Sequence, residues 1–213
     1  MENAYLDVSM PIVTGMAHWP SDPPVSIELY KFPEKGDRST VSFLHMGSHT
    51  GTHMDAPRHF LPERAGVDET PLEYLIGPCQ VVDCRGLKSV SLHEVADLEL
   101  AAVPRVLFRT DNSERLAARN EFFADYIAVE EEAARWLVEH GAVLVGVDGL
   151  SIDPYHGPSP GAHLAVLEAG RVVVEGLCLA GIEAGRYELI CLPLRIKGCD
   201  GSPVRALLRR SSD

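Results

Sequence analysis

Short apolar segments separated by Gly, Pro and Asp residues dominate the hydrophobic pattern of the chain. These segments are four to six residues long and rich in β-branched side chains, which is typical of buried strands. The pattern therefore predicts five strands, over residues 79–82, 103–108, 142–147, 171–174 and 189–194.

One segment, residues 129–140, has the spacing of an amphipathic helix. Three glutamates at 130–132 stand at its start, where the helix dipole favours acids, and Gly141 provides a stop. Its apolar face would be formed by residues 129, 133, 136, 137 and 140. Two shorter helices are predicted at 92–99 and at 162–169, the latter closed by Gly170.

The predicted strands outnumber the predicted helices, so the fold class is mixed α/β. The sequence contains no internal repeat and no compositional shift typical of a linker. A length of 213 residues suits one domain with a sizeable core. We therefore expect a single domain over residues 1–213.

Composition and charge exclude several classes of protein. The chain is 46% hydrophobic and carries a formal net charge of −12, which argues against nucleic acid or an anionic membrane surface as partner. No apolar run approaches the roughly 18 residues of a membrane span. The first residues lack a basic and apolar leader, and the five cysteines form no CxxC pair. We therefore expect a cytoplasmic protein with reduced thiols.

The densest candidate chemistry lies within residues 49–59, whose sequence is HTGTHMDAPRH. A lone histidine is usually packed or solvated, but three histidines and an aspartate so close together favour a bound cation. In an extended strand, positions 49, 51, 53 and 55 would share one face, whereas a helix would keep His49 and His53 together but turn Asp55 away. The segment also lacks the HExxH pattern of zincins. The sequence therefore predicts a metal site at His49, His53, Asp55 and His59.

Donors from elsewhere in the chain could complete such a site. His163 is expected at the start of the last predicted helix, and Glu175 follows the apolar run 172–174. Asp148 and Asp153 follow the predicted strand 142–147. Either aspartate could orient an imidazole ligand or simply form a turn, and the sequence leaves both possibilities open.

The segment HTGTHMDAPRHF at residues 49–60 resembles the signature of the cyclase superfamily, and within it the bacterial kynurenine formamidases (arylformamidases). The likeness covers most of the chain. Trp19-Pro20-Ser21-Asp22 resembles the WPGD stretch of that family, with Ser21 in place of its Gly. The segments at 68–72, 77–79, 146–148, 151–154, 175–177 and 188–208 match in order.

The resemblance implies a swivelling β/β/α fold, a homodimer or higher oligomer, and two divalent metal ions per chain, usually zinc. Manganese and cobalt would accept the same donors. It also implies a role for each matching residue. His49 and His53 would bind one metal and His163 the other, Asp55 and Glu175 would contact both, His59 would be the general acid/base, and Trp19 would line the substrate pocket.

The implied reaction is hydrolysis of N-formyl-L-kynurenine, a small-molecule aryl formamide, to L-kynurenine and formate in tryptophan catabolism. Opening of another cyclic amide or ester, as in isatin hydrolases, or a polyketide-type cyclisation would use the same metals. Residues 155–161 lack the Ser-Lys pair common in the family.

A structural metal site is a third possibility, although such sites are typically rich in sulfur. A serine hydrolase is disfavoured, because Pro160 would follow the nucleophile of the GxSxG match and has no N–H.

Overall fold

The computed structural model describes residues 4–211, which form a mixed α/β fold with ten strands and five short α-helices. The strands are β1 (Leu6–Asp7), β2 (Ser26–Lys31), β3 (Val41–His45), β4 (His53–Asp55), β5 (Ile76–Asp83), β6 (Arg105–Arg109), β7 (Leu144–Val147), β8 (Val172–Glu175), β9 (Gly185–Pro193) and β10 (Gly201–Arg210). The helices are α1 (Leu72–Leu75), α2 (Leu92–Val95), α3 (Asn112–Arg119), α4 (Glu131–Glu139) and α5 (Gly161–Glu168).

Eight of these strands form one sheet in the order β1-β10-β4-β8-β7-β6-β5-β9. Strands β5 to β8 run parallel to one another, and β4 lies antiparallel between β8 and β10. Strand β10 also pairs with β9, so the ladders close into a ring of seven strands. The two strands β2 and β3 form a separate hairpin.

Alternate residues of the central strands face two different hydrophobic clusters. Leu107, Leu144 and Val174 point into the cluster enclosed by the ring, whereas Val145 and Val173 point towards the helices α4 and α5. Both faces of these strands are therefore buried, which explains why they are continuous apolar runs rather than alternating ones.

The five predicted strands correspond to β5, β6, β7, β8 and β9, and the three predicted helices correspond to α2, α4 and α5. Two details of the prediction are wrong. Helix α2 ends at Val95 instead of extending to residue 99, and the extended segment predicted from His49 onwards begins only at His53. Residues 48–52 form turns and bends, and Gly51 has a φ of +63°, which an extended strand does not allow.

The β2–β3 hairpin exposes an unusual number of large apolar side chains. Each of them is at least 39% exposed: Ile27, Leu29, Tyr30, Val41, Phe43 and Leu44. Within residues 4–211, no helix combines the length and the apolar character needed to cross a lipid bilayer.

Candidate metal centre

Four elements bring the predicted ligands together at one end of the parallel strands. His53 and Asp55 are alternate residues of β4 and therefore point to the same face. Glu175 is the last residue of β8 and lies directly opposite His53 in the antiparallel ladder. His163 enters from the first turn of α5, and His49 from the turn before β4.

The donor atoms of these five side chains form a compact, buried cluster. Asp55 directs Oδ1 towards His49 Nδ1 (2.7 Å) and His53 Nε2 (3.5 Å), and Oδ2 towards His163 Nε2 (3.3 Å). Glu175 directs Oε2 towards His53 Nε2 (3.3 Å) and Oε1 towards His163 Nε2 (3.0 Å). Each carboxylate thus directs one oxygen towards His53 and the other towards His163, and Asp55 also contacts His49.

The outer nitrogen of each histidine is held by a fixed acceptor. His53 Nδ1 lies 2.9 Å from the carbonyl oxygen of Gly51, and His163 Nδ1 lies 2.5 Å from Asp153 Oδ2. Such contacts orient an imidazole and fix which nitrogen carries the lone pair for a metal. The inner nitrogens of both rings therefore face the two carboxylates.

Asp153 has a second task, because it also fixes the start of α5. Its carboxylate accepts hydrogen bonds from the backbone N–H groups of Ala162 (2.8 Å) and His163 (3.1 Å). The sequence left open whether Asp153 orients an imidazole or forms a turn. The structure shows that its carboxylate contacts the imidazole of His163. Asp148 instead accepts four hydrogen bonds, from the backbone and hydroxyl groups of Thr110 and Ser113, and contacts no histidine of the cluster.

Electrostatics within the cluster are strongly coupled. Burial lowers the pKa of His49, but hydrogen bonds and charges from Asp55 and Asp200 outweigh it and raise that pKa to about 9. Burial likewise favours loss of the proton from His163, but the charge of Glu175 and contacts with Asp153 and Asp55 outweigh it and hold the pKa of His163 well above its usual value. Burial would raise the pKa of Asp55, yet its bonds to the histidines hold it well below the usual value. The buried carboxylates therefore favour positive charge within this space.

Three buried atoms of the cluster have no hydrogen-bond partner among the described residues. They are His53 Nε2, Asp55 Oδ2 and His163 Nε2, and all three point inwards. Their neighbours lie 3.0–3.5 Å away but are not aligned as donors and acceptors. Buried polar atoms are normally satisfied, and imidazole nitrogen with carboxylate oxygen is a donor set that divalent cations accept. The residues present therefore fit a metal centre.

His59 occupies a different position from the other histidines. It ends the 3₁₀ turn Pro57–His59, and its ring lies 4.0 Å from the ring of His49 between centroids. Its side chain is 29% exposed, against 3% for His53. Burial lowers the pKa of His59, which favours a neutral ring. A ligand atom of His59 also comes within 4.8 Å of those of His49 and Asp55, which is close enough for these three residues to hold a cation together.

A cavity of about 260 Å³ opens onto the cluster. Its floor is lined by the four histidine rings of His49, His53, His59 and His163. Trp19 and Phe60 form apolar parts of its wall. Trp19 contacts Phe122 and Tyr155 edge to face, with centroids 5.4 Å and 5.2 Å apart. The indole is half-buried and lines the cavity, so Trp19 does not belong only to the hydrophobic core.

Two residues near the cluster escaped the sequence analysis. Asp200 Oδ2 lies 2.7 Å from His49 Nε2, and a Cβ on Gly201 would lie only 2.6 Å from the His49 ring. The register pairs Gly201 with Asp55, but this pairing joins distant segments. The only local signal is an Asp-Gly pair before a strand, which reads as an ordinary turn.

The fold and the cluster together define an α/β protein with a candidate divalent-metal centre. The model of the family named Cyclase matches residues 6–154. The kynurenine formamidase of Salinibacter ruber is 37% identical over 213 residues, covering 99% of both chains. That of Bacillus cereus is 36% identical and covers 96% of this chain and 97% of its own. The chain therefore belongs to the cyclase family.

Solved structures agree with this assignment. A potential metal-dependent hydrolase with cyclase activity superposes with a TM-score of 0.83 at 31% identity, covering 99% of this chain and 100% of the other. Isatin hydrolase A from Labrenzia aggregata gives a TM-score of 0.84 at 26% identity, covering 99% and 95%. The resemblance and the fold class inferred from the sequence are thus confirmed.

Proposed function

We propose that this protein is a metal-dependent amidohydrolase that converts N-formyl-L-kynurenine to L-kynurenine and formate. The observation that carries the proposal is the buried cluster of histidines and carboxylates, with three unpartnered inward atoms at the floor of an aromatic-walled cavity. Full-length similarity to two kynurenine formamidases supports the substrate.

The proposed centre holds two divalent ions, most simply zinc. Support comes from the way Asp55 and Glu175 each direct one oxygen towards His53 and the other towards His163. His49 and His53 would hold one ion, His163 the other, and the two carboxylates would contact both. When bound, the ions supply Lewis acidity, which lowers the pKa of water and polarises a carbonyl group.

The chain's own residues supply proton transfer and orientation. Hydrolysis adds water across the formyl C–N bond, so one proton must leave the water and one must reach the aniline nitrogen. His59 faces the cavity beside His49 and, as a neutral imidazole, can accept the first proton and donate it to the departing nitrogen. Trp19 offers its ring as a wall for the aromatic group of the substrate.

A test is formate release from N-formyl-L-kynurenine by protein of known metal content, with and without chelator. We expect turnover that requires about two metals per chain and that returns when metal is restored. Isatin is the comparison substrate, because an isatin hydrolase shares this fold at 26% identity. If the protein binds two metals but hydrolyses only isatin, its reaction is lactam hydrolysis and not formamide hydrolysis.

We further propose that residues 1–213 form one domain and that two chains associate as a homodimer. The apolar side chains exposed on the β2–β3 hairpin support association, because an isolated two-stranded sheet is marginally stable in water. Light scattering on wild type and on Phe43→Asp tests this: we expect a dimer that weakens in the variant, and a monomeric wild type would refute it. A cytoplasmic location is proposed from the five cysteines, all of which are free thiols.

A further inference from the structure

Asp200 lies in the turn before β10, at a position fixed by the strand that carries two candidate ligands. Its carbonyl oxygen accepts a hydrogen bond from the N–H of Ala56 (2.9 Å), and the next residue, Gly201, is paired with Asp55. Any movement of β4 relative to β10 would therefore move Asp200 with respect to the cluster. Its place beside the histidines is set by the sheet and not by a flexible loop.

The Oδ2 oxygen of Asp200 makes two polar contacts, and Oδ1 accepts a long contact from the Cys199 thiol (3.5 Å). Oδ2 lies 2.7 Å from His49 Nε2 and accepts a hydrogen bond from Ser48 Oγ (3.1 Å). The same oxygen lies 3.8 Å from His59 Nδ1, too far for a hydrogen bond. The direct partner of Asp200 in the cluster is therefore His49.

His49 thereby follows the pattern of the other two cluster histidines. In His53 and His163 the outer nitrogen is bound to a fixed acceptor while the inner nitrogen faces the carboxylates. In His49 the inner nitrogen is Nδ1, 2.7 Å from Asp55, and the outer nitrogen is Nε2, which faces Asp200. The three histidines thus share one arrangement with three different acceptors.

We propose that Asp200 is a positioning residue, which holds His49 in the tautomer that keeps its proton on Nε2 and presents the Nδ1 lone pair to the metal. This inference rests on the metal centre proposed above. A neutral imidazole binds metal only through its unprotonated nitrogen, and loss of the acceptor on the outer nitrogen typically weakens metal binding ~10–100-fold. Asp200 acts through His49 and does not touch the reacting atoms.

The experiment compares wild type with Asp200→Ala, Asp200→Asn and the control Asp68→Asn. Asp68 anchors the same loop, because its Oδ1 accepts a hydrogen bond from the N–H of Gly198 (2.7 Å). It therefore controls for loop disturbance with the same chemical change. Zinc affinity is measured by competition with a chromogenic chelator, and the Nε2–H proton of His49 is followed by NMR in the zinc-loaded proteins.

We expect Asp200→Ala to weaken zinc binding ~10–100-fold and to abolish the slowly exchanging Nε2–H signal of His49. Asp200→Asn should lose less, since an amide oxygen still accepts a hydrogen bond, and Asp68→Asn should stay within about twofold of wild type. An Asp200→Ala protein with wild-type zinc affinity and an unchanged signal overturns the inference. Wild type that binds no zinc refutes the metal centre and this inference together. Zinc binding without formamide turnover refutes only the substrate, and the Asp200 comparison is still decided.

Discussion

Removal of metal should cost this protein a large part of its thermal stability. Without a cation, three inward-pointing atoms are buried with no hydrogen-bond partner in the described structure: His53 Nε2, Asp55 Oδ2 and His163 Nε2. Each such atom costs ~1–3 kcal/mol. A metal that coordinates them should therefore stabilise the fold by at least about 3 kcal/mol, which is close to the ~2.7 kcal/mol that a ligand at 100 times its Kd provides.

This free energy can be read as a shift in Tm. For a chain of this length, 1 kcal/mol corresponds to ~2–4 °C. We therefore expect chelation to lower the Tm by at least about 6 °C, measured by calorimetry at pH 7.5 and constant protein concentration. Restored zinc should return the Tm to its initial value.

Two variants show whether the shift arises at the cluster. Asp55→Asn should unfold at the same temperature with and without chelator, because it removes a carboxylate from the centre of the cluster. Asp97→Asn, at an exposed position on the surface, should keep the full difference. Equal Tm values for wild type with and without metal would refute the reasoning, as would a full chelator effect in Asp55→Asn.

Four further predictions concern single side chains. His59→Ala should keep its metal and lose ~10²–10⁴-fold in kcat; loss of metal on elemental analysis would make His59 a ligand. Trp19→Ala should raise KM about tenfold with little change in kcat, the cost of one aromatic contact of ~1.4 kcal/mol; an unchanged KM in steady-state assays would place the substrate elsewhere. Gly201→Ala should weaken metal binding in chelator competition, because its Cβ would meet the His49 ring; unaltered affinity would show that the ring moves freely. Burial raises the pKa of Asp148 from 3.8 to about 6, so its protonated form favours the folded state and this contribution is lost as the pH rises through that range. Urea titrations should therefore show wild type losing about 3 kcal/mol of unfolding free energy relative to Asp148→Asn as the pH rises from well below 3.8 to well above 6. A pH-independent difference would contradict the raised pKa.

The sequence predicted those elements whose signal is local. The strands β5 to β9 are short apolar runs, and α4 has acidic residues at its start and Gly141 at its end. Strand β10 was not predicted from its pattern, because Pro203 and three arginines interrupt its apolar residues. The pairing of β10 with β1, β4 and β9 on its two edges explains why this polar sequence is nevertheless extended.

The candidate site likewise contains residues that local sequence reveals and one residue that it does not. His49, His53, Asp55 and His59 stand close together in the sequence, so their chemistry is visible without a structure. The prediction erred in the backbone that presents them, since Gly51 forms a turn and β4 begins only at His53. Asp200 could not be found from its neighbours in the sequence, because its role depends on a ladder between segments far apart in the chain.

The position of β4 between β8 and β10 has a consequence for biosynthesis. Its two neighbours, ending at Glu175 and beginning at Gly201, are translated long after β4 itself. Until both of these strands have been made, His53 and Asp55 lack part of the ladder that positions them, and such long-range pairings form slowly. We therefore expect the complete metal cluster to form only after β10 has paired with β4.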